Sequence, residues 1–208
     1  MNRVKIYGAG SIGNHLAQAS RRMGWNVDIC DIDPEALKRT KNDIYPSRYG
    51  KWDDKISLYS VDEVPEGIYD FIIIGTPPDT HMELARSAVR EGAKVVLVEK
   101  PLCSPDLLGA QELFDEAKAA NCSVFVGYDH AIGKSAIKMS SLLLNNEVGK
   151  VQTLDVEFRE YWGVYLPPIL GWMDLQIHIL DIGKKAVGLV VSILMLSTFG
   201  KVMHFNLI

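Results

Sequence analysis

Glycines at positions 8, 10 and 13, with Ser11 and Ile12 between them, form the run Gly8-Ala9-Gly10-Ser11-Ile12-Gly13. The run follows the apolar stretch Val4-Lys5-Ile6-Tyr7 and opens a segment of helical spacing, and farther on Asp31 closes a second apolar stretch. Strand before, helix after and acid at the right distance are three independent conditions, and together they describe a crossover that cradles a dinucleotide. Gly8 permits a tight turn, Gly10 lets the backbone approach a diphosphate, and Gly13 lets the helix pack closely on the strand. The helix start adds unpaired N–H groups and a positive dipole end. A carboxylate at Asp31 would accept hydrogen bonds from both ribose hydroxyls and repel a 2'-phosphate, which favours NAD over NADP. Ile32 and Asp33 bring no guanidinium against that preference, although Lys38 or Arg39 could swing in. The bland alternative is a glycine-rich turn with a surface aspartate.

Two further groups sit where strands end. Phe71-Ile72-Ile73-Ile74-Gly75 runs into Thr76-Pro77-Pro78-Asp79-Thr80-His81, and Val95-Val96-Leu97-Val98 runs into Glu99-Lys100-Pro101. Ligands of open parallel sheets lie beyond the carboxyl ends of the strands. Thr76 and the rigid prolines could therefore wall a nicotinamide, or simply turn the chain from strand to helix. Lys100 could hydrogen-bond a substrate hydroxyl and stabilise charge as it oxidises, or be a solvated lysine paired with Glu99. His81 on its own reads as structural.

The elements that position these residues are set by periodicity. Apolar runs predict strands at about 3–8, 26–31, 56–60, 69–75, 93–99 and 122–127. Three- and four-residue spacing predicts helices at roughly 12–24, 34–41, 79–91, 104–120 and 134–146. Ser104 before Pro105 marks one helix start, Asp79 or Thr80 another, and Gly92 sits just past a helix end. Six strands with crossovers make a Rossmann-like, doubly wound parallel α/β sheet. Near Gly149-Lys150 the pattern changes to the period-two alternation of 151–160, so a second, α+β part with a mixed or antiparallel sheet begins there. The expected division is a dinucleotide-binding domain over 1–128 and a partial substrate or oligomerisation domain over 129–208. The apolar run Ala186 to Phe199 is shorter than a membrane span and reads as a strand or helix.

Composition narrows the partners. A net charge of -4 with no basic cluster argues against nucleic acid, and nothing argues for a membrane. Cys30, Cys103 and Cys122 lack a C-x-x-C spacing, and Met1-Asn2-Arg3 leads straight into a strand without an export signal. Reduced thiols in a cytoplasmic protein are the expectation.

Together these residues resemble the glucose-fructose oxidoreductase and inositol dehydrogenase (Gfo/Idh/MocA) superfamily. The motifs that carry the resemblance are Gly8 to Gly13 with Asp31, Gly75-Thr76-Pro77-Pro78 with His81, and Glu99-Lys100-Pro101, the most distinctive of them. It continues through Val126-Gly127-Tyr128 and Val148-Gly149-Lys150-Val151. The resemblance implies an oxidoreductase that moves hydride between NAD(P) and a secondary hydroxyl of a sugar or cyclitol, working as a homo-oligomer. It implies cofactor contacts from Gly8, Gly10, Ser11, Ile12, Gly13, Asp31, Thr76, Pro77, His81, Glu99 and Lys100. It also gives Lys100 a substrate-side role and matches the family's Asp and His on one helix to Asp174 and His178. On a helix, Asp174, His178 and Asp181 would form one ionisable stripe beside the apolar Met173, Ile177 and Leu180. His178 would then be general base, and Asp174 would orient hydroxyls or the imidazole. Two ligands four apart do not make a metal site, so no metal is expected.

Relative to the family the chain looks C-terminally shortened, and from about Lys184 the resemblance fades. A frameshifted end, a truncated gene and a divergent short form are all compatible with that. Three outcomes are open: a sugar or polyol dehydrogenase, a shortened NAD-binding module without turnover, and a glycoside-cleaving variant that oxidises its sugar only transiently.

Overall fold

The computed structural model describes residues 2–67 and 69–150, and beyond them the backbone of five strands. By its internal contacts the chain divides into two units, Met1–Ala131 and Ile132–Ile208.

The first unit is a parallel sheet of β1 (Arg3–Tyr7), β2 (Asn26–Asp31), β3 (Ile56–Ser60), β4 (Phe71–Ile74), β5 (Val95–Val98) and β6 (Ser123–Val126), in the order β3-β2-β1-β4-β5-β6. All five pairings are parallel. This is the doubly wound arrangement, with the order reversing between β1 and β4. Strand β1 shows why sequence dictates it: Val4 and Ile6 enter one core, with Val27, Ile29 and Ile73. Tyr7 points the other way, into a core with Cys30, Ile72, Ile74, Val96 and Val98. A strand covered on both faces is what a parallel sheet between two helical layers requires.

Lys5 lies fully buried in β1. Burial works against its charge, but its ammonium donates to Glu91 Oε2 at 2.6 Å and sits 4.9 Å from the centre of the Tyr69 ring, and the ion pair raises its pKa above the ordinary lysine value. The ammonium is thus held in the core by a partner rather than by water.

Helices α1 (Ser11–Arg22), α2 (Pro34–Arg39), α3 (Tyr45–Tyr49), α4 (His81–Arg90) and α5 (Ala110–Ala119) come in turn. Two expectations are corrected. The segment 34–41 does not stop there; a π-helical turn, Thr40–Ile44, carries it into α3. Nor does a helix begin at Ser104-Pro105. There Ser104 Oγ donates to Asp106, whose carboxylate also accepts from Leu108 N–H at 3.1 Å. Leu107 (φ 57°) and Gly109 (φ 82°) are left-handed, so the chain cannot become helical before Ala110. Local side-chain bonds from Ser and Asp outcompete the helix. At α4 the N-cap is Thr80, preceded by a 3-10 turn over Pro78–Thr80, and Gly92 (φ 94°) lies just past the helix end as expected.

The second unit contains α6 (Lys134–Leu144) and an antiparallel sheet of β7 (Thr153–Tyr161), β8 (Trp172–Asp181), β9 (Val187–Leu196), β10 (Val202–Met203) and β11 (Asn206–Leu207). Strand β8 pairs with β7 and β9, and β9 also pairs with β10 and β11. Among the described residues no helix is long and apolar enough to cross a membrane.

Candidate functional site

One row of backbone hydrogen bonds runs along the carboxyl edge of the parallel sheet. Gly8 N–H donates to Cys30 O at 2.9 Å, Gly75 N–H to Tyr7 O at 2.9 Å, Glu99 N–H to Ile74 O at 2.9 Å and Gly127 N–H to Val98 O at 2.8 Å. The residues that continue from β1, β4 and β5 therefore leave the sheet side by side.

The glycine loop divides into two kinds of glycine. A Cβ on Gly13 would lie 1.9 Å from Gly8 O, and one on Gly8, whose φ is +103°, would lie 2.8 Å from Gly75 O. Both glycines are fixed by close approach of backbone to backbone. At Gly10 a Cβ would meet nothing within 4 Å. Gly10 is also the N-cap of α1, with no side-chain cap, and the first turn holds no acid. The first helical bond is Asn14 N–H to Gly10 O at 3.1 Å, which leaves the N–H groups of Ser11, Ile12 and Gly13 without a partner in the helix. An open, uncapped helix start of this kind suits an anion.

Asp31 stands at the end of β2 with its carboxylate turned onto that loop. Its Oδ2 accepts from Ala9 N–H at 2.7 Å and its Oδ1 from Asp33 N–H at 2.9 Å. Each oxygen keeps a further lone pair for a ligand hydroxyl. The nearby cations are engaged with acids: Arg39 bonds Asp33 at 3.2 Å and Lys38 bonds Glu35 at 2.6 Å. The neighbouring Cys30 thiol is fully buried, and burial pushes its pKa up to about 12, so it is a packing group rather than a nucleophile. All three cysteines are free.

Two buried polar residues that sequence reasoning missed hold the loop from beneath. Asn14 Nδ2 donates to Gly10 O at 2.8 Å and contacts Ala9 O at 3.3 Å and Thr40 Oγ1 at 3.0 Å. The Thr40 hydroxyl in turn donates to Ala9 O. Both residues are 0% exposed, although a buried Asn and Thr are costly unless bonded. Their only signal in the sequence is a polar residue on the apolar side of each helix. Arg48, from α3, is another residue that sequence reasoning missed: its guanidinium donates to Ser11 O at 3.0 Å and Ser11 Oγ at 2.9 Å.

After β4, Thr76 and Pro77 form a turn tightened by Thr80. Its N–H donates to Pro77 O at 3.1 Å, and its Oγ1 lies 2.7 Å from Thr76 Oγ1. His81 is 1% exposed and ties this turn to the next one, with Nε2 2.8 Å from Thr76 O and Nδ1 2.7 Å from Pro101 O. A neutral ring donates to one of these carbonyls; a doubly protonated ring donates to both. His81 thereby ties the turn after β4 to the turn after β5. Beyond β5, Glu99 packs on Gly127, where a Cβ would lie 2.9 Å from Glu99 Oε1. Lys100 is exposed and precedes a cis peptide bond to Pro101. Among the described residues its ammonium has no carboxylate partner, Glu99 included.

Asp174 and His178 fall on β8, a strand and not the expected helix. In the register of the sheet, Asp174 is opposite Arg159 and His178 opposite Asp155. On a strand the period is two, so positions i and i+4 share a face and i+7 does not, and the three-residue stripe expected of Asp174, His178 and Asp181 does not form. The side chains of both residues lie outside the described residues.

Comparison with known proteins agrees with this edge. The sequence pattern of the Gfo/Idh/MocA family, described as oxidoreductase family, NAD-binding Rossmann fold, matches residues 2–128. The chain is 23% identical over 199 residues to the myo-inositol 2-dehydrogenase of Thermotoga maritima, covering 89% of this chain and 55% of that protein. It is 33% identical over 131 residues to the uncharacterized oxidoreductase YdgJ of Escherichia coli, covering 59% of this chain and 37% of the relative. The chain thus spans about half or less of these curated relatives. In fold it is similar to the scyllo-inositol dehydrogenase of Lactobacillus casei, solved with NAD(H) and scyllo-inositol, at a TM-score of 0.66 and 13% identity, covering 100% of this chain and 78% of that one. It is also similar to an inositol dehydrogenase homolog of Azotobacter vinelandii, solved with NADH and myo-inositol, at a TM-score of 0.56 and 15% identity, covering 95% and 68%. With its matched residues forming the parallel sheet, the glycine loop and the carboxyl edge described above, the chain belongs to the Gfo/Idh/MocA family of oxidoreductases with an NAD-binding Rossmann fold.

Proposed function

We propose that this chain transfers hydride between NAD and a secondary hydroxyl of a sugar or cyclitol, acting in the cytoplasm as a homo-oligomer. The observation that carries the reading is the bonded carboxyl edge, which sets the glycine loop, the Thr76-Pro77 turn and Glu99-Lys100 in adjacent positions. The residues fit a dinucleotide: open space at Gly10, an uncapped helix start for a diphosphate, and the Asp31 carboxylate for ribose hydroxyls. Ser11, Ile12 and Gly13 supply the N–H groups, and Thr76, Pro77 and Glu99 wall the nicotinamide half, with His81 buried behind them between Thr76 O and Pro101 O. NAD is favoured over NADP because Asp31 repels a 2'-phosphate while Arg39 and Lys38 are already paired with acids.

The bound cofactor supplies a hydride acceptor, and the chain's residues manage the proton. The ammonium of Lys100, which has no carboxylate partner among the described residues, donates to the reacting hydroxyl oxygen and stabilises it as its proton leaves. His178 takes that proton and Asp174 orients neighbouring hydroxyls, roles that rest on the family resemblance. That relatives are named as myo-inositol and scyllo-inositol dehydrogenases supports a polyol substrate.

The test is a fluorescence titration with NADH, then a panel of polyols with NAD. NADH binding, with polyol-dependent NAD reduction lost in Lys100→Met and in His178→Ala, supports the enzyme. Binding with no turnover makes the chain a dinucleotide-binding module. Glycoside cleavage without net NADH identifies the transient-oxidation variant. No NADH binding up to millimolar concentration refutes the proposal.

A further inference from the structure

The geometry points to Arg48 as a phosphate-binding residue of the dinucleotide site, a role that rests on the NAD reading above. Three observations converge on it. First, its guanidinium is hydrogen-bonded to both the carbonyl and the hydroxyl of Ser11, the first residue of α1. Those bonds use two of its five N–H donors and leave the others available. Second, Arg48 is exposed and, among the described residues, has no carboxylate partner, unlike Arg3, Arg21, Arg39, Arg86 and Arg90. An uncompensated cation beside an uncapped helix start raises the positive potential where a diphosphate would sit.

Third, Arg48 is placed there by structure rather than by chance. The stretch that carries it is zipped along one face of α1 by Tyr49 to His15, by Tyr45 to Gln18, and by Asp53 to Arg21 at 2.8 Å. Residues 11, 15, 18 and 21 keep helical spacing, so the Arg48–Ser11 contact is the last rung of one ladder. Tyr45, 2% exposed and packed edge-on against Trp52, anchors the ladder in the core. The same stretch begins with Thr40, which holds Ala9 O. One connection between β2 and β3 therefore contacts the glycine loop twice, from beneath through Thr40 and at its open end through Arg48.

The test compares NADH, ADP and adenosine binding to the full chain, wild type against Arg48→Ala and Arg48→Gln. The glutamine can still reach Ser11 and removes the charge. Both variants should bind NADH and ADP about tenfold more weakly, as loss of a charge-assisted bond to phosphate implies. Adenosine affinity should stay unchanged, and the weakening of ADP binding by added salt should become shallower. ADP binding within twofold of wild type in both variants overturns the proposal, and so does an equal loss for adenosine, which would mean contact with the base. If the wild type binds NADH and the variants match it, only the Arg48 role falls. If the wild type binds no NADH, the dinucleotide reading falls and Arg48 with it.

Discussion

The carboxylate of Asp31 holds the backbone of Ala9: Oδ2 accepts the Ala9 N–H at 2.7 Å. The residue that would meet the ribose is thus also a strut of the loop that would meet the diphosphate. Asp31→Asn should lower NADH affinity by about tenfold and raise relative affinity for NADPH, because the charge opposing a 2'-phosphate is gone. Parallel titrations with NADH and NADPH check both. An unchanged NADH to NADPH ratio would place the ribose elsewhere.

Beneath the loop, Asn14 presents donors to two carbonyls, and its buried Oδ1 has no hydrogen-bond partner among the described residues. Asn14→Asp replaces those donors with a carboxylate facing Ala9 O and Gly10 O. It should cost about 3 kcal/mol or more, whereas Thr40→Val should cost about 1 kcal/mol. Urea denaturation measures both. Equal costs would show that the loop does not depend on the direction of these bonds.

The glycines separate folding from binding. Gly13→Ala drives a Cβ into Gly8 O, and a backbone atom cannot move aside cheaply, so this variant should melt far below wild type or fail to fold. Gly10→Ala meets only open space, so stability should change by about 0.5 kcal/mol at most while NADH affinity drops at least tenfold. Thermal melts and NADH titrations of the pair give the contrast. A Gly10→Ala chain that binds NADH normally would remove the diphosphate from this loop.

At acid pH, stability should depend on Glu116. Its Oε1 accepts from Arg86 at 2.6 Å and Arg90 at 2.7 Å, and those guanidinium groups hold the carboxyl at about 2, below its ordinary 4.5. A carboxyl depressed in the folded state contributes stability above its unfolded pKa and loses it as pH falls through the folded one. Between about 4.5 and about 2 the link from α4 to α5 should therefore weaken. Glu116→Gln should flatten the pH dependence of stability across that window, measured by denaturation at stepped pH. An unaltered slope would assign acid sensitivity to other carboxyls.

Much of the first unit is legible in its sequence, for reasons visible at particular residues. Ile72-Ile73-Ile74 and Val95-Val96-Leu97-Val98 are apolar on both faces because helices cover both, so their runs stand out. The glycine loop is legible because close backbone approach at Gly8 and Gly13 leaves no other residue. Thr40 and Arg48 are not, because their contacts with Ala9 and Ser11 reach across 31 and 37 residues of sequence, and Asn14 is not, because its short-range bonds to Ala9 O and Gly10 O show in the sequence only as one polar residue on the apolar side of a helix. Ser104-Pro105 looks like a helix start since Ser caps many helices; here it bonds Asp106 instead. In β8, Met173 to Ile179 alternate apolar and polar with period two, so a strand signal is present, but spacing of four also suits a helix face.

The crowding at Gly8 and Gly13 has a consequence for how such a chain can change over time. Both positions are closed to any larger residue by neighbouring backbone, so their persistence in a descendant would record only that the domain still folds. Gly10 is under no such compulsion, because the space beside it is free. In a lineage that had stopped using the nucleotide, Gly10 would be the first of the loop's glycines free to drift.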